Sequence, residues 1–267
     1  MSMKPCPESF PYPLIALDET DSTNRYLSQL CNELQETIEE LTTVTAEFQS
    51  AGKGQRGNTW EAERGKNLLF SFVLYPTFLE ARRQFILSQI VSLSIKEELD
   101  RWSNEITIKW PNDIYWKDKK ICGILIENDL SGQFIGRSIS GIGININQNE
   151  FYSDAPNPVS LKQITGQEHN RHEILSHILK RIQIYYNGLR TEEHNTYSAE
   201  IATRYARALF RRRGFHPYED ANGKFSARLL RVEQDGRFVL EDESGKEREY
   251  LFKDCLLYTS PSPRDRS

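Results

Sequence analysis

The order of apolar and polar positions predicts a chain that mixes helices with strands. Apolar residues recur at helical spacing over 22–39, directly after Asp21, Ser22 and Thr23, whose side-chain oxygens suit the start of a helix. Further helices are predicted over 78–101, 171–190 and 195–209. Strands are predicted from about residue 14, then over 41–49, 67–75, 105–110 and 134–147, with a hairpin of 113–116 and 120–127. Residues 151–170 are rich in Pro, Asn, Ser and Asp and are predicted to form a loop.

The pattern changes after the basic run Arg211-Arg212-Arg213. Short alternating segments follow at 224–233, 236–241 and 247–253, separated by Asp-Gly and Ser-Gly pairs that favour hairpin turns, and they predict a small β-barrel. We therefore expect a first domain over 1–210, a barrel over 211–254 and a tail over 255–267. The tail contains Ser-Pro-Ser-Pro-Arg and is similar to translated adapter sequence, so it is predicted to be non-native and disordered.

Composition narrows the class of protein. The chain has 267 residues, of which 38% are hydrophobic, and its net charge of −4 argues against binding nucleic acid by phosphate neutralisation. We therefore interpret the arginine run as a solvated helix end. The chain has neither a signal-peptide pattern at its start nor an apolar run long enough to span a membrane. Its four cysteines are far apart, which is typical of free thiols in the cytoplasm.

A glycine-rich loop carries the first sign of chemistry. The segment 52–57, Gly-Lys-Gly-Gln-Arg-Gly, fits the dinucleotide fingerprint G-x-G-x-x-G. That fingerprint requires a helix after its last glycine, whereas this chain continues through Trp60 into a predicted strand. Glycines let backbone N–H groups approach an anion, and Lys53 and Arg56 add positive charge. The loop is therefore predicted to hold a phosphate or acyl phosphate.

Strand alternation adds further candidate residues. Lys109 ends a strand whose isoleucines face the core, so its ammonium is predicted to point the other way. Gly141, Gly143 and Asn145 share one face of their strand, and the missing side chains are expected to make room for a flat ligand. Gln49 stands directly before the glycine loop. Each residue alone is more often an exposed lysine, a turn glycine or a strand amide, and the hypothesis depends on their combination.

Taken in order, these segments resemble those of the biotin–protein ligases. The matching motifs are Asp21-Ser22-Thr23-Asn24, then Ala46 to Gly57 with Trp60, then Lys109-Trp110-Pro111-Asn112-Asp113, then Lys119 to Glu127, and finally Gly141 to Asn147. Their order and spacing agree over about residues 14–250. The resemblance is to the form without an N-terminal DNA-binding domain, because about 13 residues precede the first predicted strand. It therefore implies no DNA partner.

The resemblance implies a fold and a reaction. The fold is α+β: a catalytic domain built on a mixed β-sheet flanked by helices, followed by a small SH3-like barrel. Biotin and MgATP give biotinyl-5′-AMP and pyrophosphate, and a lysine of the apo biotin carboxyl carrier protein or domain then takes the biotin. ATP, Mg²⁺ and biotin are thus the small molecules implied. No protein motif for a metal is present, and a homodimer is compatible with the resemblance.

The resemblance also assigns roles to residues. The biotin-binding residues it implies are Ser22, Thr23, Asn24, Gln49, Gly52 and Lys53. The residues implied for ATP and the adenylate are Lys53, Gly54, Gln55, Arg56, Trp60, Lys109 and Asn145. Those implied in catalysis are Lys109, Arg56, Asp113 and Lys120. Gln55 departs from the family, many of whose members carry an arginine there that helps to retain the adenylate.

Two alternatives come from other classes. A lipoate–protein ligase shares the fold and an active-site lysine, but the glycine loop with Trp60 and the Lys-Trp-Pro-Asn-Asp string favour biotin. A non-catalytic biotin sensor is disfavoured by Lys109 and by the intact loop. Release of pyrophosphate on addition of biotin distinguishes the enzyme from the sensor.

Overall fold

A seven-stranded mixed sheet is the framework of the protein in this computed structural model, which describes residues 10–33, 38–52, 54, 60–152, 157–191 and 193–251. The strands run in the order β1-β2-β3-β7-β6-β5-β4. Their bounds are β1 Leu14–Thr20, β2 Thr43–Gln49, β3 Leu68–Leu74, β4 Ile106–Lys109, β5 Asp113–Trp116, β6 Lys119–Ser131 and β7 Phe134–Ile144. β1 and β2 are parallel, and the other neighbouring pairs are antiparallel.

Helices cover the two faces of this sheet unequally. Helix α1, Thr23–Glu33, packs on β2, β3 and β7 from one side, which we call the α1 face. On the other side lie α2 (Phe85–Leu99), α4 (Arg171–Leu189) and α5 (His194–Ala208), which bury the main core. β3 is buried at every position because it is covered on both faces, and this explains its continuous apolar sequence.

The C-terminal region forms a second, four-stranded antiparallel sheet. Its strands are β8 His216–Asp220, β9 Gly223–Val232, β10 Phe238–Asp242 and β11 Glu247–Tyr250, in the order β11-β10-β9-β8. Trp110 joins this sheet to the main one, because its ring stacks on Phe238 at 4.8 Å and its Nε1 donates to the Gly236 carbonyl at 2.9 Å. A loop residue next to Lys109 is thereby fixed by the C-terminal sheet.

Several predicted elements differ from those observed. The helix predicted over 22–39 does not extend to 38–39, and residues 34–37 lie outside the described ranges. The helix predicted over 78–101 is shorter, because a 3-10 turn at Ala81–Arg83 precedes α2. The loop predicted over 151–170 contains a short helix, α3 (Leu161–Thr165), which Ser160 and Gln163 start with a capping box.

Two strands of the C-terminal sheet also differ from the prediction. β8 was absent from the predicted strands, and β10 begins after Gly236, which occupies the turn with a φ of 90°. The predicted tail over 255–267 lies outside the described residues.

Within the described ranges, no helix combines the length and the apolar character needed to cross a membrane.

Candidate active site

A chain of hydrogen-bonded polar side chains, buried at Thr23, Asn24 and Ser71, begins at the first turn of α1. The Gln49 Oε1 atom accepts from the backbone N of Thr23 at 2.7 Å and from its Oγ1 at 3.0 Å. The Ser71 Oγ of β3 lies 2.7 Å from Thr23 Oγ1 and 2.6 Å from Asn24 Oδ1. Asn24 Nδ2 in turn donates to Glu127 of β6 at 2.8 Å. Four elements thus fix the orientation of the residues predicted to bind biotin.

The same turn depends on a glycine of β7. A Cβ built at Gly141 would overlap the Asn24 side chain, whose Cγ would lie 2.7 Å away. Ser22, Thr23 and Asn24 are each almost completely buried. The backbone N of Ser22 donates to Asp21 at 2.6 Å, and Asp21 forms an ion pair with Arg25 one turn later. The start of α1 is therefore seated directly against the sheet.

Trp60 fills the space above the other glycines. Gly123 and Gly143 face each other in β6 and β7, and a Cβ at either would meet the indole, at 2.9 Å from Cζ3 and 2.6 Å from Nε1 respectively. We predicted that Gly141 and Gly143 leave room for a flat ligand, and the room at Gly143 is instead taken by a flat side chain of the protein. The backbone N of Trp60 donates to the Gly52 carbonyl at 3.0 Å, which ties the indole to the glycine loop.

A charged cluster lies beside the indole on the α1 face. The Lys120 ammonium is 2.7 Å from Asp113 and sits 5.8 Å from the centre of the Trp60 ring. Lys109 is paired with Asp113 across β4 and β5, so the two side chains share this face. Its Nζ lies 3.2 Å from the hydroxyl of Tyr115. Lys109, which the alternation predicted to point away from the core, therefore lies close to both Asp113 and Lys120.

The segment between Lys109 and Asp113 is held by contacts to three elements. The Pro111 carbonyl accepts from Tyr205 of α5 at 2.7 Å and from Ser88 of α2 at 3.3 Å. Asn112 is buried, and its Nδ2 donates to the Ile124 carbonyl of β6 at 2.6 Å. The Trp-Pro-Asn string therefore positions the two charged residues that flank it.

Burial changes the acid–base behaviour of this cluster. Desolvation lowers the pKa of Lys109 to about 8, and the positive charges of Lys120 and Arg211 act in the same direction, while Asp113 opposes them. Desolvation also raises the pKa of Tyr115, and the Asp113 charge adds to that effect. Tyr115 therefore remains a neutral phenol beside Lys109. A half-buried ammonium with a lowered pKa is typical of a site that receives an anion.

Two buried polar atoms of the site have no hydrogen-bond partner among the described residues. They are Nε1 of Trp60, a donor, and Oδ1 of Asn145, an acceptor. The Nδ2 of Asn145 is already used, since it donates to the Val159 carbonyl at 3.2 Å. A buried donor or acceptor left unpaired costs roughly 1–3 kcal/mol. Both atoms are therefore positions where a ligand would supply a missing partner.

The candidate residues divide into three groups. Those placed on the α1 face or at the start of α1 are Ser22, Thr23, Asn24, Gln49, Gly52, Trp60, Lys109, Asp113 and Lys120. The second group lies elsewhere: Asn145 directly follows β7, and Gly54 of the glycine loop is half-buried. Lys53, Gln55 and Arg56 lie outside the described residues.

Sequence reasoning missed three residues of the site. Ser71, Glu127 and Tyr115 are all in direct contact with predicted residues. A signal existed for Ser71, since it is the single polar residue in the buried strand Leu68–Leu74. Glu127 closed one of the motifs, but the sequence carries no sign that it contacts Asn24.

Several known proteins are similar to this chain in both sequence and fold. The sequence model of the Biotin/lipoate A/B protein ligase family matches residues 16–145. The biotin–[acetyl-CoA-carboxylase] ligase of Paracoccus denitrificans is 32% identical over 168 residues, which is 60% of this chain and 67% of that protein. The bifunctional ligase/repressor BirA of Bacillus spizizenii is 28% identical over 251 residues, covering 89% of this chain and 72% of the relative.

A solved structure agrees over nearly the whole chain. The biotin protein ligase from Aquifex aeolicus in complex with biotin and ATP superimposes with a TM-score of 0.73 and 29% identity. The match covers 91% of this chain and 96% of that chain. The likeness thus includes the region that follows the family match.

Proposed function

This chain belongs to the Biotin/lipoate A/B protein ligase family, and we propose that it is an ATP-dependent ligase that joins biotin to protein. A carboxylate oxygen of biotin attacks the α-phosphorus of ATP, pyrophosphate leaves, and biotinyl-5′-AMP remains. The amine of a lysine on the apo biotin carboxyl carrier protein or domain then attacks the acyl carbon and releases AMP. The relatives named biotin–[acetyl-CoA-carboxylase] ligase support this assignment.

One observation carries the proposal. The polar chain at the start of α1 and the half-buried Lys109 ammonium lie on the same face of one sheet, with the Trp60 indole over β6 and β7. The polar chain suits a neutral ureido ring, which needs every buried donor and acceptor paired. The ammonium suits the carboxylate and the α-phosphate, whose mutual repulsion must be offset.

The roles of individual residues are part of the proposal. Ser22, Thr23, Asn24 and Gln49 hold the ureido ring, and the free Oδ1 of Asn145 accepts from the adenine amine. Lys53, Gln55 and Arg56, with Gly52 and Gly54, attend the carboxylate and phosphates from the glycine loop. Trp60 closes the site, and its buried Nε1 donates to the adenylate. Mg²⁺ arrives as part of the MgATP substrate.

Asp113 and Lys120 are proposed to act in the second step. The incoming lysine must lose a proton before it attacks, and a nearby carboxylate favours that loss. Lys120 holds Asp113 in place through the contact of 2.7 Å. Asp113→Asn is therefore expected to slow transfer to the carrier more than adenylate formation, measured by separate single-turnover assays of the two steps. Equal slowing of both steps would contradict this division of roles.

Choice of biotin over lipoate is the direct test of the assignment. Lipoate has no ureido group and therefore cannot form hydrogen bonds with the polar groups at the start of α1. Since each unpaired buried group costs roughly 1–3 kcal/mol, we expect the yield of adenylate from lipoate to be at least about tenfold lower. The measurement is pyrophosphate release with MgATP and either acid, with mass spectrometry of the acyl-adenylate. Equal yields would place the protein with the lipoate ligases.

The lowered pKa of Lys109 predicts how adenylate formation depends on pH. The ammonium is charged below about pH 8 and neutral above it. For the first step, kcat/KM should therefore be flat below pH 8 and fall above it, because this constant reports groups of the free enzyme. Measuring pyrophosphate release without the carrier keeps the acceptor lysine out of the profile. In Lys109→Arg the fall should disappear, and a flat wild-type profile to pH 9.5 would contradict the assignment.

The proposal also covers the domain boundaries of the chain and its cellular compartment. We place the catalytic domain at 1–210 and the C-terminal domain at 211–254, and the antiparallel order of β8 to β11 is compatible with an SH3-like barrel. Free thiols at Cys31 and Cys122 are compatible with the cytoplasm.

A further inference from the structure

The basic run at the end of the first domain is not uniformly solvated. Arg212 and Arg213 are exposed, as expected for a charged helix end, but Arg211 is half-buried and its Nη1 atom is shielded from solvent. The chain reaches this point alongside β4. Phe210 donates from its backbone N to the Ile108 carbonyl at 2.8 Å, and Leu209 forms a parallel bridge with Ile108. Arg211 is thereby held next to the end of β4, where Lys109 stands.

The backbone and the surrounding rings support this placement. Arg211 has a φ of 53°, a left-handed conformation that is uncommon for a residue with a side chain and is kept only where the surroundings impose it. Its guanidinium lies 5.3 Å from the centre of the Phe210 ring. Phe210 stacks on Tyr115 at 5.5 Å, and the Tyr115 hydroxyl is 3.2 Å from Lys109 Nζ. Two aromatic rings therefore link the two cations.

Arg211 and Lys109 are close enough for their charges to interact. The positive charges of Lys120 and Arg211 both act on Lys109, while Asp113, which forms an ion pair with Lys120, acts in the opposite direction. Desolvation lowers the pKa of Arg211, opposed by the exposed Asp118 and by Tyr218. An anion that binds beside two neighbouring cations offsets their mutual repulsion.

We propose that Arg211 is a second phosphate-binding residue of the Lys109 site and contacts the polyphosphate of ATP, which leaves as pyrophosphate. The polyphosphate part rests on the proposed function. Phosphate oxygens suit a guanidinium, which donates through two parallel N–H groups, whereas an ammonium acts as a point charge. Lys109 thus neutralises charge at the α-phosphate and Arg211 orients the departing group.

The C-terminal sheet then helps to position a nucleotide-binding residue. Tyr218 of β8 is buried and lies close enough to act on the charge of Arg211. Its ring contacts Phe238, on which Trp110 stacks. Arg211 and Lys109 are therefore positioned from the same small core, one at each side of the junction between the two sheets.

The test uses Arg211→Asn, because asparagine tolerates a left-handed backbone and lacks the charge. Arg212→Asn, one residue away on the exposed side, is the matched control. We expect Kd for MgATP and for pyrophosphate alone to rise about ten- to a hundredfold in Arg211→Asn, with Kd for biotin unchanged, as measured by isothermal titration calorimetry. Arg211→Lys should recover part of the loss. Unchanged pyrophosphate affinity in a folded Arg211→Asn protein would overturn the proposal.

A second measurement does not depend on turnover. Carbon-13 NMR of the lysine Cε signals, with Lys109 assigned from the spectrum of Lys109→Arg, follows the pKa of Lys109 directly. The pKa of Lys109 should rise when Arg211 is replaced and should stay the same when Arg212 is replaced. In the wild-type protein, addition of pyrophosphate should also raise the pKa of Lys109. No change in Arg211→Asn would show that the two cations do not face each other. If pyrophosphate binding falls as expected but biotin gives no adenylate, the phosphate site stands and the proposed function fails.

Discussion

Replacing Lys109 by alanine is expected to lower the rate of biotinyl-adenylate formation by about 10²–10³-fold, which is the usual cost of removing one group that stabilises charge in a transition state. The ammonium is half-buried on the α1 face, next to Tyr115 and Asp113. Negative charge on the biotin carboxylate and on the α-phosphate meets there as the P–O bond forms. Without the lysine, one of the positive groups that offset that charge is missing.

The measurement for Lys109→Ala is single-turnover release of pyrophosphate with biotin and MgATP. Lys119→Ala is the matched control, because Lys119 carries the same charge at the start of β6 but is exposed. The control should stay within about twofold of wild type, since isolated surface charges contribute little. Affinity for biotin should be unchanged in the control. Near-normal pyrophosphate release in Lys109→Ala would mean that this lysine is structural.

The sequence predicted the elements of the sheet well because its strands have strong local signals. Strand β3 is an uninterrupted apolar run ended by Pro76, and β7 alternates isoleucine with glycine or serine. The helix ends were predicted less well. Helix α2 begins at Phe85, later than predicted, because a 3-10 turn occupies the preceding residues. Such turns are set by tertiary contacts, here the bond from Ala81 to the Gln133 carbonyl, which no local pattern reveals.

The candidate site shows the same limit at the level of side chains. The alternation of residues placed Lys109 on the correct face of the sheet, because successive side chains of a strand point to opposite faces. It could not show that Trp60 occupies the space over Gly143, since this depends on where the chain returns after the glycine loop. Arg211 was interpreted as solvated, but it is half-buried, because Leu209, two residues earlier, pairs with Ile108 of β4. Contacts between distant segments are the part that the sequence alone did not provide.

The second large effect is expected from Gly141→Val, which should weaken biotin binding by roughly a hundredfold or more. Any Cβ at this position overlaps Asn24, and the Asn24 side chain has no easy escape because it is buried between Ser71 and Glu127. Moving it breaks both contacts, at roughly 1–3 kcal/mol each. Because Asn24 belongs to the first turn of α1, its displacement also shifts Thr23, which is bonded to Gln49.

Gly136→Val separates this effect from a general weakening of β7. Gly136 lies in the same strand, but a Cβ there would meet Ser131 Cβ at 3.3 Å, near the hairpin end and away from the start of α1. Calorimetry should give a biotin Kd close to wild type for Gly136→Val and a much higher one for Gly141→Val. A circular dichroism melt should show both variants to be folded. If Gly141→Val binds biotin normally while folded, then the polar chain from Gln49 to Glu127 does not form the biotin site, because its central contact would have been broken without consequence.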